Sequence, residues 1–250
     1  MGCFPPGRTA IEHNDVILYP ASMKKRVLIL DGSLDPAIYR PVEQWARYFD
    51  DVAFDAVSPP SHPPIPRLDQ YTHVLVTGSE ASIVQPEAWF DVEADIIRDA
   101  VERGLAVLGS CFGHQMIVLA LSGPEAVRRA PRPELGWIVV DILETDRFLA
   151  DVPNPWHTFA GHLDEVVDPP TPWRVLAANE ACAVQAIRYG DLPVWGIQPH
   201  PETDPDEARI IMEWAIGTYP EYAAQIRRAL EEPVRDDRVT PRLIDVFLQS

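Results

Sequence analysis

One cysteine in this chain stands where a thiol can act as a nucleophile. Cys111 sits in Gly109-Ser110-Cys111-Phe112-Gly113, between the apolar run Leu105 to Leu108 and the helical pattern His114 to Leu121. Strand, sharp turn and helix, with G-x-C-x-G at the turn, make the cysteine version of a nucleophile elbow. Flanking glycines let the backbone pass close to its neighbours while the middle residue takes a strained conformation. The turn also puts the sulfur at a helix N-terminus, where unpaired N–H groups and the macrodipole stabilise a thiolate. A lone cysteine is more often inert packing, so the rest of the chain must supply a base.

Of the 7 histidines, one has the right company. His200 follows the strand-like Val194-Trp195-Gly196-Ile197 and lies in Gln198-Pro199-His200-Pro201-Glu202. Pro201 biases His200 toward an extended backbone. Residues two apart in an extended segment face the same side, so Glu202 can reach the imidazole and set its tautomer. Cys111, His200 and Glu202 then form a nucleophile, a base and an orienting carboxylate, the set that covalent acyl transfer needs. His114 shares a helix with Cys111 and is expected to point along it rather than back at the sulfur.

The elements that carry these residues alternate. Val27 to Leu30 is short, apolar and β-rich, a buried strand bounded by Asp31-Gly32. A helix is expected over Arg40 to Phe49, a strand over Asp51 to Val57, and a proline-dense loop over Ser58 to Pro66. Thr72 to Thr77 reads as a strand running into Gly78-Ser79, and Glu87 to Arg103 as an amphipathic helix capped by Gly104. Strands alternating with helices imply a parallel sheet covered on both faces, with ligands at the C-terminal strand edge. Gly78, Ser79 and Cys111 would share that edge. Beyond Gly136, strand-like runs at Trp137–Leu143, Trp173–Ala177, Ala181–Arg188 and Leu192–Ile197 suggest a mixed extension. Helices are expected at Thr203–Ile216, Glu221–Leu230 and Pro241–Phe247.

Composition narrows the function classes. A formal net charge of -17 argues against a nucleic-acid or anionic-membrane surface. The 3 cysteines, Cys3, Cys111 and Cys182, lack metal-ligand spacing and imply a reducing, cytoplasmic setting with no metal or cofactor. No apolar run reaches the ~18 residues a membrane span needs. Residues 1–22, with prolines at 5, 6 and 20, read as a tail, and Met23 is a second candidate start for a domain over 23–250.

Two stretches together resemble a known family. Gly109-Ser110-Cys111-Phe112-Gly113-His114-Gln115 and Gly196-Ile197-Gln198-Pro199-His200-Pro201-Glu202 are similar to the motifs of the class I glutamine amidotransferases. The resemblance spans about Val27 to Ala215 and implies a three-layer α/β fold, a flavodoxin-like, mostly parallel sheet with a mixed-strand extension. It implies hydrolysis of a γ-glutamyl amide through a γ-glutamyl thioester. Cys111 would be the nucleophile, His200 the base and acid, and Glu202 the orienting carboxylate. The N–H of Phe112 would be one oxyanion donor and the Gly78-Ser79 loop would supply the other. Gln115 matches a substrate-contacting glutamine. Ala160 to Glu165, with His162 and Asp164, resembles the loop that reads the substrate's amino-acid end.

Two departures stand out. The oxyanion loop reads Gly78-Ser79-Glu80 where many members have Gly-Gly-Pro, and Pro199 replaces a usual phenylalanine. The first looks more like the free-standing branch, similar to the amidotransferase-like domain of GMP synthase and to γ-glutamyl peptidases. No glycine-rich phosphate loop or pyrophosphatase-like segment is seen. The leading expectation is therefore a stand-alone hydrolase of glutamine or a γ-glutamyl compound. The alternatives are a glutaminase subunit passing ammonia to a separate synthetase chain, a non-catalytic cysteine sensor, and a metal site made by Cys111, His162 and His200.

Overall fold

A computed structural model describes residues 24–250. The expected tail at 1–22, the candidate start Met23 and Cys3 lie outside the described residues. The chain opens with β1 (Arg26–Leu30), α1 (Pro41–Ala46), β2 (Ala53–Val57), β3 (His73–Val76), α2 (Ala88–Glu102), β4 (Ala106–Ser110) and α3 (Phe112–Ser122). Two long strands follow, β5 (Val127–Ile142) and β6 (Trp156–Val166), and then β7 (Trp173–Ala178), β8 (Ala186–Tyr189) and β9 (Val194–Ile197). The chain closes with α4 (Pro205–Thr218), α5 (Ala223–Glu231) and α6 (Thr240–Leu248).

All nine strands join one sheet in the order β2-β1-β3-β4-β9-β8-β7-β5-β6. From β2 to β9 the neighbours are parallel. This is the 2-1-3-4-5 order of flavodoxin-like sheets, with β9 in the fifth place. From β9 outward they are antiparallel. β1, β3, β4 and β9 are buried on both faces because their residues alternate between two cores, while β2 is the exposed edge of the parallel half. Leu28, Leu30, Val74, Val76 and Val107 pack with α2 and α3 residues such as Ile97 and Met116. Val27, Ile29, Leu75 and Leu108 pack with Trp45 of α1 and with Leu243 and Phe247 of α6. The expected three layers are thus present.

The antiparallel half departs from expectation in its detail. β5 begins at Val127, ten residues before the predicted strand, and carries Pro131 and Pro133. Its register with β6 shifts between Arg129 and Glu134, so the prolines sit in an irregularity where no ladder N–H is needed. β6 has no counterpart in the sequence reading, and the expected loop over Ala160 to Glu165 is part of this strand. The strand expected over Ala181–Arg188 is only Ala186–Tyr189, which leaves Cys182 in the turn before it. The helix starting at Pro205 has a capping box. The Asp204 carboxylate accepts from the N–H groups of Asp206 and Glu207, and Glu207 accepts from the Asp204 N–H.

Candidate active site

The elbow forms by backbone contact. β4 is buried throughout and delivers Cys111 at φ 50°, ψ −109°. Such a conformation costs a non-glycine residue on the order of 1–3 kcal/mol and persists only where its surroundings enforce it. Here they do. A Cβ on Gly113 would run into the carbonyl of Val76, and one on Gly109 into the carbonyl of Gly113. β3, β4 and α3 therefore approach more closely than side chains would allow. The Cys111 N–H donates to the Ile197 carbonyl at 2.8 Å, which ties the elbow to β9. Its sulfur lies 3.9 Å from the Gly161 carbonyl. Phe112 opens α3, where first-turn N–H groups have no intrahelical carbonyl to meet.

β9 brings the second motif alongside. The His200 N–H donates to the Phe159 carbonyl at 2.8 Å, and Nδ1 meets Glu202 Oε1 at 2.9 Å. Glu202 is fully buried. Burial alone would lower the His200 pKa. The negative charges of the Cys111 sulfur and the Glu202 carboxylate outweigh it and hold the imidazole well above its ordinary value. Tyr39, which sequence reasoning missed, closes the group. Its hydroxyl donates to Glu202 Oε1 at 3.3 Å and lies 3.4 Å from His200 Nδ1, with its ring edge-on to the imidazole. Burial, then the charges of Glu202 and Cys111, push the phenol well up, so it stays a donor.

The loop after β3 crosses directly over this group. A Cβ on Gly78 would stand 2.6 Å from the Tyr39 hydroxyl and 2.8 Å from His200 Cε1. Glu80 holds the loop to its neighbour by accepting from the N–H groups of Leu34 and Asp35, at 2.8 and 3.2 Å. The sulfur and imidazole open onto a cavity of about 670 Å³ also lined by Ser79, Phe112, Gln115, His162 and Asp164. Gly78 and Glu202 stand behind its surface. The expected site residues are therefore gathered at one place.

The far wall is built across β5 and β6. His162 faces Glu134 in register, and Asp164 faces Arg129. His162 Nδ1 points at the Asp164 carbonyl (3.0 Å) and Nε2 at Glu134 Oε2 (3.0 Å). Glu134 also accepts from Asn179 and Gln185, each at 2.6 Å. Burial would raise the Glu134 carboxyl, but His162 and the two amides together hold it below its ordinary range. Asp164 accepts from the Ser82 hydroxyl (2.6 Å), the Ile83 N–H (3.1 Å) and Arg129 (3.3 Å). Gln115 Nε2 donates to the Asp164 carbonyl at 2.7 Å. Glu134 and Arg129 were not legible as site residues, because they reach the site only through a pairing with a strand about 30 residues away.

The metal alternative of Cys111, His162 and His200 fails because both His162 nitrogens are turned to Asp164 and Glu134. Among the described residues the group with converging ligand atoms is Glu134, His162 and Cys182. Burial pushes the Cys182 thiol up to about 12, which opposes the thiolate a metal would need. His114, on the elbow's own helix, is buried against the space that a Gly196 side chain would fill. Burial first, then His162, lowers its pKa to about 3.

An α/β enzyme with a thiol elbow beside a His–Glu pair defines a class, and comparison places the chain within it. The sequence profile of the family described as glutamine amidotransferase class-I matches residues 56–214. The chain belongs to that family. It is 32% identical over 151 residues to one subunit of the glutamine-hydrolysing GMP synthase of Saccharolobus solfataricus, covering 60% of this chain and 78% of that one. The corresponding Sulfolobus acidocaldarius protein is 28% identical, over 75% of this chain and 94% of the relative. With the Pyrococcus abyssi protein the match, at 34% identity, spans 56% of the relative's length. In fold, the chain is similar to a glutamine amidotransferase of Thermotoga maritima. The TM-score is 0.75 at 21% identity, over 90% of this chain and 97% of that one.

Proposed function

We propose that this chain is the glutaminase component of a two-chain amidotransferase, hydrolysing the side-chain amide of glutamine and releasing ammonia for a separate synthetase chain. The carrying observation is the Cys111 elbow, held at positive φ and opening with His200 and its Glu202 partner onto one cavity. In this reading the Cys111 thiolate attacks the γ-carbonyl carbon. The N–H of Phe112 and an N–H of the Gly78-Ser79 loop stabilise the oxyanion. The C–N bond breaks as His200 gives its proton to the leaving nitrogen. Water, deprotonated by His200, then cleaves the thioester to glutamate and free thiol. Gln115, His162 and Asp164 read the glutamyl end. The donation of nitrogen to a partner draws support from the relatives, which are subunits of a glutamine-hydrolysing synthase.

The proposal takes residues 23–250 as one domain, supported by the single sheet. It needs no metal. It also places the enzyme in the cytoplasm, and no helix of the described residues is long and apolar enough to cross a membrane. A second reading, a stand-alone γ-glutamyl hydrolase, is favoured by a cavity larger than a single glutamine side chain requires. Glutamate release by the purified chain, with and without a candidate synthetase chain, separates the two. Turnover that rises steeply on adding the synthetase supports the first. Full turnover alone, unmoved by any synthetase, overturns it in favour of the second. A chain whose Cys111 is acylated neither by glutamine nor by any γ-glutamyl amide overturns both.

A further inference from the structure

The cavity is divided by chemistry. Its charged lining is already engaged. Glu80 holds the Leu34 and Asp35 N–H groups, Glu87 holds the Trp89 indole at 3.1 Å, and Asp164 holds Ser82, Ile83 and Arg129. Arg129 is the one lysine or arginine on the lining among the described residues. Its pair with Asp164 uses one nitrogen, and the remaining guanidinium N–H groups can meet one carboxylate, which a glutamyl group brings.

One side of the cavity wall is apolar. Leu135 of β5, Phe159 of β6, Ile211 and Trp214 of α4 and Tyr219 beyond it present half-buried or buried faces to the cavity. Behind them lies a separate small core with Met212 and Ile226, so the wall is packed rather than floppy. Trp214 and Tyr219 meet edge to face at 5.9 Å, which fixes both rings. Phe159 links this wall to the chemistry. Its carbonyl holds the His200 N–H, and its ring lies 6.3 Å from the imidazole. The group that protonates the leaving nitrogen therefore borders the apolar wall.

We propose that this wall is a leaving-group subsite, built to take the amine half of a γ-glutamyl amide whose amine fragment is uncharged and apolar, best an arylalkylamine. The inference rests on the thioester chemistry proposed above and extends its substrate beyond glutamine. A polyamine fragment finds no acidic side chain without a partner in the protein. A fragment ending in a second carboxylate finds no second cation. An aromatic ring finds Phe159, Trp214 and Tyr219.

The test uses the purified full chain and five compounds: glutamine and the γ-glutamyl derivatives of methylamine, phenethylamine, glycine and spermidine. Glutamate release is measured for each. The phenethylamide is expected to exceed the methylamide in kcat/KM by about tenfold or more, with the glycine and spermidine compounds below both. Trp214→Ala and Tyr219→Ala should each lower the phenethylamide-to-methylamide ratio at least about fivefold. The ratio is internal to each variant and so is insensitive to loss of folded protein. Calorimetric binding to Cys111→Ala protein, which needs no turnover, should follow the same order. A phenethylamide no better than the methylamide in both turnover and binding overturns the subsite, as does a ratio unmoved in both variants or a preference for the charged amines. If the methylamide is turned over without aromatic preference, the subsite alone falls. If no compound acylates Cys111, the thioester reading falls with it.

Discussion

The parallel and antiparallel halves of the sheet hold their site residues by different means. On the parallel side Cys111 is positioned by main chain against main chain. Glycines at 109 and 113 remove the side chains that would keep β3, β4 and α3 apart. On the antiparallel side His162 and Asp164 are positioned by side-chain pairs across β5 and β6, with Glu134 and Arg129 as partners. Backbone contact gives a position that tolerates almost no variation in residue type. Side-chain pairing gives one that can be retuned by changing the partner. The nucleophile sits on the inflexible side, and two of the groups proposed to read the substrate, His162 and Asp164, sit on the adjustable one.

Substitutions can break or sharpen this contrast. Cys111→Ala should abolish turnover, a loss on the order of 10⁶-fold, and should also abolish labelling by a glutamine-analogue electrophile in mass spectrometry. Labelling that survives at Cys182 would remove the elbow from the chemistry. Glu202→Gln should cost less, about 10⁴-fold in kcat, because it leaves His200 in place but turns an amide toward Nδ1. Stopped-flow acylation checks it, and an unchanged rate would cut Glu202 out of the group.

The parallel half also carries a buried acid. Both oxygens of Glu93 on α2 lack a partner, and burial, then Asp31, raise its pKa to about 8. The folded pKa lies above the unfolded one, so this group's contribution is fully present below about 4.5 and lost as pH rises through 8. The decline is on the order of 5 kcal/mol. Glu93→Gln should remove it, so the Tm advantage of the variant in thermal melts should grow from pH 5 to pH 9; a constant difference would contradict the burial. Gly113→Ala should lower stability by about 3 kcal/mol, since its Cβ meets the fixed Val76 carbonyl; an unchanged denaturant midpoint would show that the elbow can yield. The smallest effect is expected across the antiparallel pair. Glu134→Gln should raise KM by about tenfold with kcat nearly kept, and an equal fall in kcat would instead link Glu134 to the transition state.

The same contrast explains what could be read from residue order. The elbow, the His200–Glu202 pair and the parallel strands are local patterns: apolar runs, glycines at fixed offsets, a proline that extends the chain at 200. They were legible, and the class of enzyme with them. β6 was not, because Trp156 to Val166 mixes His, Thr, Gly and Asp among its apolar residues. The first part of β5 was hidden by Pro131 and Pro133, which a register shift accommodates. Tyr39 lies in a turn before α1 and acquires meaning only from residues more than 160 positions away. Cys182 was expected in a strand because its neighbours are apolar, yet Asn179 accepts from the N–H groups of Ala181 and Cys182 and bends the chain there.

The seam between β4 and β9 has a consequence for the timing of synthesis. Cys111 is made early, but its N–H partner, the Ile197 carbonyl, and His200 and Glu202 follow some 90 residues later. Until that ladder closes, a growing chain on the ribosome holds a thiol with neither its base nor the contact that holds the elbow to β9. Closing so long a loop is entropically costly and comes late. Catalytic competence should then arrive in a single step as the seam zips, leaving no partly assembled species able to acylate itself during translation.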